Sequence, residues 1–112
     1  MGRDRINAVL ERLQEAGIRA QRGFPPGKMP HLNSSMVGVC IDSMDQSSTT
    51  LALHVYTPLH QGGAVCEDVA LQVVEALATI YGTYKIQHCS FDSQISLFHS
   101  TVLVTFQQAR AE

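Results

Sequence analysis

The stretch LALHVYTPLHQGGAVCEDVALQVVEAL, residues 51–77, contains a change of hydrophobic period that decides the fold class. In its first part the side chains alternate between two faces, as in a β-strand. Leu51, Leu53 and Val55 fall on one side of an extended chain, and the residues between them fall on the other. After Pro58 and two glycines the apolar residues recur every three or four positions, which is typical of an amphipathic helix. The stretch therefore predicts a strand followed by a well-buried helix.

A second helical pattern lies near the beginning of the chain. Apolar residues recur every three or four positions from Ile6 to Ala16, and polar residues occupy the other faces. Asp4 is predicted as the N-cap and Gly17 as the left-handed residue that ends the helix. We therefore expect one helix at about Asp4–Ala16, and we expect the later helix to end at Gly82.

Two pairs of β-rich segments complete the pattern. Met36–Ile41 and Leu51–Tyr56 are separated by the polar segment Asp42–Thr50, which predicts a hairpin. Tyr84–Phe91 and Ile95–Gln107 predict a second hairpin with a short polar turn between its strands.

The order of these elements is α-β-β-α-β-β. We predict an α+β fold, a two-layer sandwich in which two helices cover one face of a mostly antiparallel four-stranded sheet. Residues 1–112 are expected to form a single domain with a long loop at about residues 19–35, where glycine and proline are frequent. Within that loop, Arg19–Gly23 is compatible with a short edge strand.

The other face of the predicted sheet is partly apolar. Leu97, Leu103 and Tyr56 are expected on it, together with Cys40 or Ile41. An apolar face that a monomer leaves open usually marks an interface, so the pattern favours a protein partner.

Composition disfavours several classes of function. The chain has 112 residues, a formal net charge of -2 and only 16% charged residues, so direct nucleic-acid binding and attraction to an anionic membrane are not expected. No segment approaches the roughly 20 apolar residues that span a bilayer, and the N-terminus lacks the apolar run of a secretory signal. We therefore expect a cytosolic protein without membrane contact.

The residues that could carry chemistry lack a recognised spacing. The five histidines and three cysteines form no HxxxH or CxxC pair, and the neighbours His88 and Cys89 would point to opposite faces of a strand. The pair Gly62-Gly63 precedes a helix, but it lacks the remaining glycines and lysine of a phosphate-binding loop. We therefore expect no metal, no cofactor and no catalytic residue.

Cys66 keeps one enzymatic alternative open. It lies just inside a predicted helix N-terminus, where the helix dipole lowers the pKa of a thiol and favours a nucleophile. The same position also suits a small buried apolar residue, and no histidine or acid partner can be assigned to it from the sequence.

An ordered set of segments resembles the phage tail-terminator and tail-completion (minor tail protein) family, including prophage copies. The set comprises EAGIRA at 15–20, PPGKMP at 25–30, LALHVYTP at 51–58, GGAVCEDVALQVVEAL at 62–77, CSFD at 89–92 and FHSTVLVTF at 98–106. Together these segments extend over nearly the whole chain.

The resemblance implies a non-enzymatic structural protein. Such a protein forms a homo-oligomeric ring, typically sixfold, that terminates or completes the tail tube and contacts the tail-tube protein and the head–tail connector. It would be found in the bacterial host cytoplasm during assembly and then in the virion tail. The alternatives are a small cysteine-dependent enzyme that uses Cys66, and a prophage-derived protein-binding module with another partner.

The resemblance also implies which residues make these contacts. The partner-binding residues would be Phe24, Lys28, Met29, His31 and Leu32 in one loop and Asp42, Met44 and Asp45 in a second. The ring contacts would be Leu97, His99 and Leu103.

Overall fold

The computed structural model describes residues 2–23, 34–78, 80, 83–87, 89–93 and 96–107, and it has an α+β fold. The helices are α1 (Gly2–Glu15) and α2 (Gly63–Ala76), and a short 3-10 turn (Leu59–Gln61) precedes α2. The strands are β1 (Ala20–Arg22), β2 (Met36–Met44), β3 (Ser48–Pro58), β4 (Thr83–Ile86), β5 (Ser90–Asp92) and β6 (Leu97–Gln107).

The strands form one mixed sheet with the order β1-β2-β3-β6-β4, and β5 pairs with β6. The prediction of four strands is therefore wrong in detail, since the described residues contain six. β1 is the parallel strand: Ala20–Arg22 pairs with Val37–Val39, whereas every other described pair is antiparallel. Parallel neighbours need a connection of a dozen or more residues, and the segment between Arg22 and Met36 has that length.

A bulge divides the predicted strand Tyr84–Phe91. Ile86 pairs with Val102 and Ser90 pairs with His99, so four steps along one strand oppose three along the other. Three residues therefore separate β4 from β5, one more than the two that separate their partners on β6, as in a β-bulge.

Helix α1 ends as the sequence predicts. Gly17 has φ +80°, Ile18 N–H donates to the Leu13 carbonyl at 2.8 Å, and Gly17 N–H donates to the Gln14 carbonyl at 3.0 Å. These two bonds form a Schellman motif, which returns the buried Ile18 to the core beside Leu13.

Helix α2 is shorter than predicted. It ends at Ala76 rather than at Gly82, which lies outside the described residues. After Ala76 the N–H groups of Ala78 and Ile80 donate to carbonyls three residues earlier, and such bonds tighten the last turn. Leu77 is fully buried at this point, and Ile80 still packs on the core.

The main core lies between the helices and one face of the sheet. Its sheet residues alternate as predicted, since Leu51, Leu53 and Val55 are fully buried on the helix side. The core also includes Val37, Val39, Val102, Val104 and Phe106 from the sheet and Ile6, Val9, Leu13, Cys66, Val69, Ala70, Val73, Val74 and Leu77 from the helical segments. In the part of the chain that is described, no helix has the length and hydropathy required to cross a bilayer.

Candidate functional site

The β2–β3 hairpin contains the second predicted partner loop, but the loop is shorter than expected. Asp42 and Met44 belong to β2, and β3 already begins at Ser48, so the prediction of a loop from Asp42 to Thr50 is wrong. The pairing of β2 with β3 continues beyond Ile41, since Ser43 pairs with Thr50 and Met44 pairs with Thr49. A register shift at Asp42 accommodates one extra residue in β2.

Asp45 closes this hairpin by accepting hydrogen bonds. Its Oδ1 atom accepts from the backbone N–H groups of Ser47 and Ser48, each at 2.8 Å, and from the Ser47 hydroxyl at 3.0 Å. These N–H donors hold the pKa of the exposed Asp45 carboxyl below its ordinary value, because they stabilise the carboxylate. The geometry gives Asp45 a role in turn formation.

The end of the hairpin presents apolar side chains to solvent. Ile41 is 44% exposed and Met44 is 46% exposed, although both lie on the helix side of the sheet beside buried Leu51 and Thr49. They form what we call the hairpin-end patch. The first predicted partner loop, with Phe24, Lys28, Met29, His31 and Leu32, lies outside the described residues.

The three predicted ring contacts lie on the second face of the sheet, away from the helices. Leu97 is only 4% exposed, so it offers little surface, whereas His99 and Leu103 are half-buried. Tyr56 and Met36 are also buried, and both lie outside the main core cluster. These buried side chains of the second face lie near the end of β3, where β2 and β6 begin.

A histidine pair lies at the centre of this second face. His54 Nδ1 and His99 Nε2 are 3.0 Å apart, which is hydrogen-bonding distance, and the Thr101 hydroxyl lies 3.3 and 3.4 Å from the same two nitrogens. The Tyr56 ring stacks on His99 with centroids 4.8 Å apart and planes only 10° from parallel. The four side chains form a compact polar-aromatic group.

Burial dominates the electrostatics of the pair. It lowers the pKa of both His54 and His99, and the neighbouring His99 lowers that of His54 further. Asp42 raises the pKa of His54, and Asp92 raises the pKa of His99, but both effects are smaller than that of burial. The pair is therefore held neutral, with one ring donating an N–H to the other.

The alternation along β3 and β6 puts His54 on the same face as Tyr56 and His99 on the same face as Leu97, but it does not pair the two histidines. The alternation along each strand gives the face of a residue, whereas the pairing depends on the register between β3 and β6. Tyr56 lies opposite His99 and His54 lies opposite Thr101, so the two histidines are diagonal neighbours. Nothing within either strand alone indicates this register.

The described residues contain no group of three His, Cys, Asp or Glu side chains that could hold a metal ion. His31 and His88 lie outside that part of the chain.

Cys66 is unsuited to act as an exposed nucleophile. Its side chain is fully buried in the core, and its thiol lies 3.9 Å from the Val55 carbonyl. Burial, with a smaller contribution from a hydrogen bond with Cys89, raises the pKa of the Cys66 thiol to about 12. Because the thiolate is the nucleophilic form, a raised pKa lowers the reactivity of the Cys66 thiol near neutral pH.

The glycine pair before α2 has a structural explanation. Gly62 has φ +83°, which favours glycine, and a Cβ atom on Gly63 would lie 3.4 Å from the Phe98 ring. Gly62 therefore allows the turn, whereas a Cβ atom on Gly63 would make ordinary van der Waals contact with Phe98 of β6.

No protein-family model matches the chain, and neither does any curated protein sequence.

Proposed function

We propose that this chain is a non-enzymatic phage or prophage tail subunit that forms a homo-oligomeric ring terminating or completing the tail tube. The hairpin-end patch carries the proposal. Ile41 and Met44 expose nearly half of their surface at the end of a long hairpin, where a neighbouring subunit would remove apolar area from water.

The edge of the sheet supports the same contact. Among the described residues, β1 pairs with β2 only at Val37–Val39, and no other described strand lies on the outer side of Cys40–Met44. A strand edge of this kind can accept a strand from another chain, which extends the sheet across the interface.

A ring follows if this edge meets a different surface of the next subunit. Such heterologous contacts close into a ring when the rotation per subunit divides a full turn. The second face, with His99 and Leu103 half-buried, provides a second surface that is distinct from the hairpin-end patch. The proposed partners are the tail-tube protein and the head–tail connector, met in the host cytoplasm during assembly and then in the virion.

The test uses the full chain and a tail-tube protein from the same phage or prophage. Sedimentation velocity and native mass spectrometry should show a closed oligomer, and electron microscopy should show it at the ends of tail tubes. The double variant Ile41→Asp/Met44→Asp should stay monomeric, because each new carboxylate would have to be desolvated in the interface.

Leu59→Asp is the matched control. Leu59 is 55% exposed and follows the opposite end of β3, so this variant should assemble like the unchanged chain. Absence of binding to both tube and connector would refute the tail function. Specific binding to an unrelated protein through the same patch would instead favour a prophage-derived binding module.

A further inference from the structure

Beyond β6 the sheet ends in two short strands that lie in one line. β4 and β5 both pair with β6, and no other described strand lies on their outer side. Tyr84 pairs with the core residue Val104, so its side chain lies on the helix side of the sheet. Phe91 lies on the same side, because it pairs with Phe98, which packs on the core. Tyr84 is 51% exposed and Phe91 is 46% exposed, so this edge presents aromatic surface to solvent.

The backbone of this edge has hydrogen-bonding groups directed away from β6. Gln87 N–H donates to the Thr101 carbonyl at 2.7 Å, so the peptide groups of Gln87 point inward. These directions alternate from one residue to the next along an antiparallel strand, so the peptide groups of Tyr84 point outward. The same alternation along β6 turns those of Phe91 outward as well. The edge can therefore form hydrogen bonds with a further strand.

The spacing of the two strands makes this edge complementary to itself. β4 and β5 lie on either side of Gln87, which pairs with Thr101 of β6. The β6 partners of Tyr84 and Phe91 each lie three residues from Thr101, in opposite directions. A half turn about an axis through Gln87, perpendicular to the sheet, therefore places β4 of one copy antiparallel to β5 of another.

We propose that two copies of this chain pair through this edge, with β4 of each copy antiparallel to β5 of the other and Gln87 on the two-fold axis. Tyr84 then lies opposite Phe91 of the second copy, on the helix side of a sheet that continues through both copies. An aromatic pair directly opposite across two antiparallel strands stabilises their pairing. The two-fold axis forms this aromatic pair twice.

One charged pair fits the same register. Lys85 is exposed on the second face of the sheet, and a lysine on an edge strand usually prevents pairing, because its charge is left unmatched. In the proposed dimer Lys85 lies opposite Ser90 of the second copy and diagonal to its Asp92, within reach of a long side chain. The opposite charges therefore favour this register over one that is shifted along the edge.

A cleft of about 260 Å³ lies beside α2 at the centre of the same contact. It is lined by Leu71, Ile86 and Cys89, and also by Gln87, which lies on the proposed axis. The half turn therefore brings the clefts of the two copies together. Leu71 is 53% exposed, and the contact would remove part of its apolar surface from water.

This contact is separate from the proposed ring contact, because the hairpin-end patch belongs to β2, on the opposite side of the sheet. Each copy contributes only the four residues of β4 and the three of β5 to the strand pairing. Such a small contact should be weak, with a dissociation constant on the order of 1 mM. The dimer should therefore form at chain concentrations above those used to measure the ring.

The experiment places a thiol on the two-fold axis with Gln87→Cys, both in the full chain and in the ring-deficient chain Ile41→Asp/Met44→Asp. At about 1 mM chain, oxidation should link the introduced thiols of two copies in both backgrounds. Directly opposite residues have Cα atoms about 4.5 to 5.5 Å apart, which is within the range of a disulfide. Peptide maps of mixed isotope-labelled and unlabelled chains should identify the bridge.

Thr83→Cys is the matched control, because Thr83 is exposed on the same strand and the same face. In the proposed dimer the two copies of Thr83 lie about 26 Å apart along the strand direction, far beyond the roughly 7 Å that a disulfide can bridge. This variant should stay unlinked. A second variant, Lys85→Glu, should weaken dimerisation of the ring-deficient chain about tenfold in sedimentation equilibrium, because it makes both charge pairs repulsive.

The proposal is overturned if Gln87→Cys forms no bridge, or if it forms one no faster than Thr83→Cys, since that result indicates random collisions. It is equally overturned if Lys85→Glu leaves the association constant unchanged. A ring that forms without the Gln87→Cys bridge would support the ring contact and reject this one. A bridge in a chain that never forms a ring would support this contact and count against the proposed function.

Discussion

His54 and His99 share one proton between two ring nitrogens that are 3.0 Å apart. A neutral imidazole has one N–H and one acceptor nitrogen, whereas an imidazolium has two donors and no acceptor. The hydrogen bond therefore persists as long as one ring is neutral, and it is lost when both rings are charged.

Acid should destabilise the protein through this pair. The folded-state pKa of each ring lies below its ordinary value of 6.5, so the unfolded chain binds protons at a higher pH than the folded one. The stability contributed by the neutral pair is complete above that ordinary value and is lost as pH falls through the folded-state pKa values. The urea midpoint should decrease between about pH 7.5 and about pH 5.

The double variant His54→Gln/His99→Gln should show a smaller decrease over the same interval. His60→Gln, which changes an exposed histidine, should show the same decrease of the urea midpoint with falling pH as the unchanged chain. Equal pH profiles for all three proteins would mean that the pair does not control acid stability.

Asp45 determines the hairpin turn through acceptor geometry more than through charge. Asp45→Ala removes the acceptor for two backbone N–H groups, so the amides of Ser47 and Ser48 should exchange with solvent faster. Asp45→Asn keeps a side-chain oxygen and should retain most of the protection. Amide exchange measured by NMR distinguishes the two variants, and equal exchange in both would assign the effect to charge.

At the scale of elements, helix α2 has one buried face and one exposed face, with Cys66, Val69 and Val73 on the buried side. Two leucines allow these environments to be compared, since Leu77 is fully buried just after the helix and Leu71 is 53% exposed within it.

Truncation of these two leucines should lower the free energy of unfolding by very different amounts. Leu77→Ala leaves a cavity in the core and should lower the free energy of unfolding by about 2 to 5 kcal/mol. Leu71→Ala removes side-chain atoms that are largely in contact with water, so its effect should remain within about 0.5 kcal/mol. Urea denaturation measures both, and similar losses would show that the helix packs through another face.

At the scale of the whole molecule, the helices cover one face of the sheet, and the proposed assembly uses apolar surface rather than charge. The chain has a formal net charge of -2, and Ile41 and Met44 carry none. Long-range electrostatic attraction therefore contributes little to the proposed ring contact.

Assembly should accordingly persist at high ionic strength. Raising the salt concentration from about 0.1 M to about 1 M shortens the Debye length from about 10 Å to about 3 Å, which would weaken charged contacts. Sedimentation velocity should show the same oligomer at both concentrations, with Ile41→Asp/Met44→Asp monomeric throughout. Dissociation in salt would indicate an interface based on charge and would place it elsewhere on the surface.

Local spacing explains how much of the fold could be predicted. The period of three to four residues identified both helices, Gly17 marked the end of α1, and the alternation of Leu51, Leu53 and Val55 identified the face of β3 that meets the core. These features follow from the geometry of a single helix or strand, which neighbouring residues in the chain determine.

Contacts between distant segments of the chain decided the features of the fold that local spacing did not predict. The sequence by itself determined the two helices, most of the strands and the α+β class, because hydrophobic period is a local property. Only the tertiary structure decided that β1 pairs in parallel with β2 and that His54 meets His99. Each of these depends on the register between strands, which is set when side chains from separate parts of the chain pack together.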